Sequence, residues 1–211
     1  MPRRAAFETR ALLFKRGELL LELGDPLVAL VQGAASLQRD QKKEPSRKSL
    51  GLRMPALQFI AIVDEADGFK GRARIGHINR AVNFAIRAVE AGATGAARDD
   101  WTSPLQTLAA GEGDCKQYAV LKYAALQAAG FAADDLRIVI IIERRTGLAV
   151  HAVVAVRNDG RWLILDNRVL AITGAHELLD RYRPLYEFDR RGVRAFAPRP
   201  EVVAQKVACN G

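Results

Sequence analysis

The sequence predicts an α+β fold in which helices come first and an antiparallel sheet follows. Apolar residues recur at three- and four-residue spacing from Ile75 to Ala91, through Ile78, Val82, Ala85, Ile86 and Val89. The later half changes period, to the β-branched runs Leu136–Ile142 and Val150–Val156. Helices grouped ahead of strands fit α+β and not the alternation of a parallel βαβ sheet.

Taken in order, residues 7–38 have helical spacing broken by Gly17, Gly24 and Asp25-Pro26. The polar run from Gln38 to Ser49 offers nothing to bury and reads as a linker. The helix beginning at Ile75 is expected to end at Gly92-Ala93-Thr94-Gly95, and a loop through Asp99 to Pro104 leads to a short helical piece ending at Ala110. Gly111-Glu112-Gly113-Asp114 is turn-like, and Asp114 is a good N-cap for a helix from Cys115 to Ala129 that stops at Gly130. A third strand, Arg161–Leu165, follows the Asn158-Asp159-Gly160 turn, and a further pair is expected at Leu185–Phe188 and Val193–Phe196. No internal repeat is visible. The organisation expected is a basic N-terminal extension and linker over 1–53, one domain over 54–200 and a tail over 201–211.

Composition excludes several classes. The chain has 211 residues, 49% hydrophobic and 27% charged, which is a globular balance and not a disordered one. Its two cysteines, Cys115 and Cys209, allow at most one bridge, so this is no disulfide-dense scaffold. The net charge of +8 suggests an anionic partner, but its distribution argues otherwise. Residues 54–156 hold 11 Lys+Arg against 11 Asp+Glu, and the excess lies in 1–53 (11 against 6) and 157–211 (10 against 7). A nucleic-acid groove in the central fold is therefore not expected. Nor is a membrane span or a clear export leader, because Glu8, Arg10, Lys15, Arg16, Glu18 and Glu22 interrupt the N-terminal segment. On those residues alone the chain reads as cytoplasmic if its start is correct.

Cys115 falls at a predicted helix N-terminus, where unpaired backbone N–H groups and the helix dipole favour a thiolate. His151 begins one predicted strand and Asp166 ends the next, with a tight turn between them. Antiparallel pairing brings the start of the first strand close to the end of the second, so His151 and Asp166 are expected at one end of the sheet. A carboxylate there can hold an imidazole in one tautomer while its other nitrogen faces a thiol. His77 and His176 lie far from metal-ligand spacing, so no zinc site is expected, and no phosphate-binding glycine loop is present.

Asp100-Trp101-Thr102-Ser103-Pro104, Leu108, Gly111-Glu112-Gly113-Asp114-Cys115, Tyr118-Ala119, Lys122-Tyr123, Leu126, Gly130, Leu136-Arg137, His151-Ala152-Val153 and Leu165-Asp166-Asn167 occur in order at sensible spacing. This series resembles the bacterial transglutaminase-like cysteine peptidases. Ile78-Asn79 and Val82-Asn83 are similar to that family's first conserved helix, and the resemblance spans about residues 72–196. It implies a papain-like or transglutaminase-like core, with Cys115 as nucleophile, His151 as general base and then acid, and Asp166 as the orienting carboxylate. In supporting places it implies Trp101 walling the site or packing in the core, Asn167 beside the histidine or in the turn, and Asp114 before the nucleophile.

The resemblance implies a protein or peptide substrate, in some members a surface adhesin cut in the periplasm, so the compartment stays open. The same thioester chemistry serves glutamine deamidation or transamidation, and a non-catalytic interaction module is a third reading. Some members hold calcium with acidic residues around the nucleophile. Here Lys116 and Gln117 follow it, so Asp114 is a poor start for a calcium site and no cofactor is expected.

Overall fold

The computed structural model describes residues 47–89, 101–145 and 150–196. The expected helices over 7–38, the Gly92–Gly95 stop, Asp99-Asp100, Cys209 and the tail lie outside them. Five helices and eight strands follow in chain order: α1 (Arg47–Ala66), α2 (Gly71–Ala85), β1 (Arg87–Ala88), α3 (Pro104–Ala110), β2 (Glu112–Gly113), α4 (Cys115–Ala128), β3 (Leu136–Glu143), β4 (Val150–Asn158), β5 (Arg161–Leu165), β6 (Thr173–Gly174), α5 (Ala175–Arg181), β7 (Tyr182–Asp189) and β8 (Gly192–Ala195). Six strands form one antiparallel sheet in the order β6-β5-β4-β3-β7-β8.

The sheet separates two apolar layers. Leu136, Ile138 and Ile140 of β3, Ala152, Val154 and Val156 of β4, and Leu163 and Leu165 of β5 join the helices in the main core. The alternate residues Val139, Ile141, Val153, Ala155 and Ile164 form a smaller cluster under Trp162, Leu178 and Tyr182. β3 and β4 are covered on both faces, which is why both read as continuous apolar runs without alternation. Helix α4 is central: every residue from Tyr118 to Leu126 is buried, and it packs on β3, β4 and the other N-terminal helices.

The α+β class and the strands β3, β4 and β5 are as expected from sequence. The β4–β5 turn uses left-handed Asp159 (φ 49°) and Gly160 (φ 73°), the conformation that such a two-residue hairpin needs. Helix α4 begins at Cys115, and Gly130 (φ 86°) terminates the helical segment as a left-handed residue.

Several elements depart from the expected bounds. Helix α2 ends at Ala85 instead of running to Ala91, because Ile86 is extended and the chain joins the loop before Cys115. Arg87 N–H donates to Gly111 O and Val89 N–H to Gly113 O, so β1 pairs parallel with β2. Helix α1 begins at Arg47, within the polar run read as linker. Strand β7 begins at Tyr182, earlier than expected, and its pairing with β3 continues through a register shift beside Pro184, a residue with no N–H to donate. Helix α5 and β6 were not expected, and β8 lies one residue earlier than expected.

Gly113 is fixed by close packing against α4. A Cβ there would stand 2.7 Å from the Gln117 Cβ. Gly113→Ala should therefore lower unfolding free energy by about 1–3 kcal/mol in urea titration. An unchanged midpoint would mean that the loop before Cys115 is not held against its helix.

Candidate active site

Asp114 fixes where helix α4 starts. Its Oδ1 accepts from Lys116 N–H at 2.8 Å, and its own N–H donates to Gln117 Oε1 at 3.0 Å, a reciprocal capping box. Cys115 is thereby the first residue of the helix, partly exposed and packed at the edge of the main core. Tyr118, one turn on, donates its hydroxyl to Ile86 O at 2.6 Å and ties this turn to the end of α2.

His151 is fully buried near the start of β4, and Asp166 follows directly after β5. The β4–β5 register, with Val154 opposite Leu165, brings the two to the same end of the sheet. His151 Nε2 donates to Asp166 Oδ1 at 2.7 Å, and that oxygen also accepts from Arg168 N–H at 2.9 Å. The second ring nitrogen, Nδ1, is buried without a hydrogen-bond partner. Cys115 is close enough to act on the imidazole electrostatically.

The electrostatics follow from these partners. Burial pushes the His151 imidazole down, but the hydrogen bond to Asp166, the interaction with Cys115 and their charges outweigh it, so its pKa is raised above 6.5. Burial likewise raises Asp166, and the His151 bond and charge, Arg168 N–H and the Lys122 charge reverse it, leaving the carboxyl below 3.8. A buried polar pair of this kind is well suited to hold one histidine tautomer and stabilise its protonated form.

The other expected residues take different places. Trp101 is in the main core, its ring 6.2 Å from that of Phe188. Asn167 has a buried amide oxygen with no partner, and His151 Nε2 is bonded to Asp166 and not to it. Asp114 Oδ2 accepts from Lys116 Nζ at 2.8 Å, so both carboxylate oxygens are engaged within two residues. Among the described residues no cluster of three His, Cys, Asp or Glu could hold a metal ion, and no helix is long and apolar enough to cross a membrane.

Two positioning residues had not been assigned roles from sequence. Asn83 Nδ2 donates to Asp166 O at 3.1 Å and Asn79 Nδ2 to Leu170 O at 3.1 Å, so helix α2 clamps the segment after β5. Asparagines four apart on the apolar face of a helix were the available signal, since a buried amide must find a partner.

The family described as bacterial transglutaminase-like cysteine proteinase, BTLCP, matches residues 66–183, more than half of the chain. Comparison with curated proteins gives no match. Among solved structures the chain is similar to EGTA-treated LapG of Legionella pneumophila, 24% identical, with a TM-score of 0.57 over 74% of this chain and 87% of that one. Calcium-bound LapG of the same organism is 23% identical over 71% of this chain and 98% of that one, with a TM-score of 0.48.

Removing the Asp166 charge leaves burial to dominate at His151. In a Cys115→Ala background, Asp166→Asn should lower the His151 pKa in an NMR titration. The pair's stabilising contribution should be complete between pH 3.8 and 6.5, falling as acid protonates Asp166 below its lowered pKa and as base deprotonates His151 above its raised one. A His151 titration indifferent to Asp166→Asn would contradict the coupling.

Proposed function

Because the chain belongs to the bacterial transglutaminase-like cysteine proteinases, we propose that Cys115, His151 and Asp166 form its catalytic triad and that it cleaves protein substrates through an acyl-enzyme. The observation that carries this reading is the buried His151–Asp166 hydrogen bond, with the second imidazole nitrogen unpartnered and Cys115 beside it.

In this mechanism His151 accepts the Cys115 thiol proton, and the thiolate attacks the substrate carbonyl. The tetrahedral intermediate collapses as the C–N bond breaks, and the imidazolium gives its proton to the departing amine. Water then attacks the thioester with neutral His151 as base, releasing the acid and restoring the thiol. The Cys115 backbone N–H, at the start of α4, is the natural donor to the oxyanion. Asp166 keeps Nε2 protonated, so that Nδ1 is the nitrogen that exchanges a proton with sulfur. The resemblance to adhesin-processing members supports a bacterial surface protein as substrate and the periplasm as the place of action.

The donor set around the nucleophile does not fit calcium. Calcium takes six to eight oxygens, and Asp114 Oδ2 is already paired with an ammonium from Lys116. No step is routed through a metal, and we propose that activity is independent of calcium.

Asp166→Asn should retain the fold and reduce acylation of Cys115 by a peptide-derived thiol probe by roughly 10–10³, less than the loss of about 10⁴ in a serine enzyme. Full acylation by the folded variant would reduce Asp166 to a turn residue. Excess EGTA should leave the wild-type rate within about twofold, and a calcium-reversible loss would show that other oxygens complete a metal site.

A further inference from the structure

Lys122 is a buried cation with no hydrogen-bond partner. It is 1% exposed, and its Nζ stands 5.7 Å from the centre of the Tyr118 ring. It lies seven residues after Cys115, two turns along the same face of α4 and about 10 Å further in. Burial pushes its pKa down to about 7, against the pull of the Asp166 charge. Fully buried lysines are rare unless paired, because desolvation of the ammonium is costly.

Asp166 is the ionisable group whose charge bears on Lys122. The elements packed around α4 offer little else. The buried residues of α1 are apolar, α2 contributes the neutral amide Asn79, and α3 contributes Pro104, Thr107 and Leu108. Strand β2 adds a glycine and β4 adds His151, while the buried residues of β3 are apolar and its charged residues, Arg137 and Glu143, are half-buried. The other buried carboxylates near α4 are paired elsewhere: Asp114, its N-cap, with Lys116, and Asp189, which faces Tyr123, with Arg137. Asn79 and Asn83 each leave a buried Oδ1 without a donor while their amide nitrogens hold the segment 166–170.

We propose that Lys122 is a positioning residue: its ammonium is the second counter-cation of Asp166, holding that carboxylate ionised while His151 is neutral. This rests on the triad reading above. When His151 is an imidazolium it balances Asp166 itself. In the acyl-enzyme it is neutral, and Asp166 would otherwise keep only the Arg168 N–H and the polar hydrogen bond to the ring. Without the ammonium, Asp166 binds the imidazolium more tightly, and His151 is a weaker source of free base for thioester hydrolysis.

Two measurements on the full chain test this. In ¹³C-lysine NMR the lysine that titrates near pH 7 should fall by about 0.5–1 pH unit in Asp166→Asn, a three- to tenfold change in its proton affinity. Hydrolysis of Cys115 acylated by p-nitrophenyl acetate should be about tenfold slower in Lys122→Met than in wild type at pH 6 and equal at pH 9, where the wild-type lysine is itself neutral. A packing role alone would give the same ratio at both pH values. An unmoved lysine titration, or a ratio independent of pH, overturns the proposal. Should Lys122→Met fail to fold, the titration decides alone. Full activity of Asp166→Asn would defeat the triad reading. An inactive Asp166→Asn without a change at the lysine would defeat only the role of Lys122.

Discussion

Asp166 keeps a negative charge in a place that is 9% exposed, and the site's geometry depends on how that charge is held. A carboxylate taken out of water is stable only where donors replace its hydration. Here the His151 ring, the Arg168 backbone and the Lys122 charge converge on it from three different parts of the chain. Its backbone carbonyl is tied in turn to Asn83 of α2. One residue therefore joins the sheet end, the segment after β5 and the N-terminal helices, and His151 inherits its orientation from that junction.

Cys115 is fixed by an independent local device. Asp114 caps α4, Gly113 packs directly on Gln117, and the Tyr118 hydroxyl reaches back to Ile86. These contacts determine where the helix begins and so where sulfur sits relative to the sheet. Lys116 adds its ammonium to the same cap at 2.8 Å. The carboxylate before Cys115 is thus satisfied inside the chain, by a backbone N–H and a side chain two residues away.

Local signals made much of this legible. Asp114 followed by an apolar run and Gly130 marked α4 from end to end, and the Asp159-Gly160 turn fixed the register that brings His151 to Asp166. What was not legible depends on long-range contacts. The end of α2 was hidden because Ile86 and Val89 continue a helical pattern, and only pairing with residues 111–113 draws them into an extended path. Helix α1 was hidden by its polar start and by Pro55 in its interior. Helix α5 has no buried residue, so it has no apolar stripe strong enough to announce it. Lys122 was visible only as part of a matching block, since nothing in its neighbours' identities says that a lysine there is buried. Its setting depends on α4 being surrounded on all sides, a property of the fold and not of the segment.

The central claim is that sulfur at the capped start of α4 takes the acyl group with His151 and Asp166 as its base. Rapid acid quench after mixing the full chain with p-nitrophenyl acetate, followed by peptide mapping in a mass spectrometer, tests it most directly. The account predicts a burst of one nitrophenolate per chain and one acetyl group on the peptide containing Cys115, both lost in His151→Ala. Acetylation spread over lysines, or a burst that survives Cys115→Ala, would contradict it.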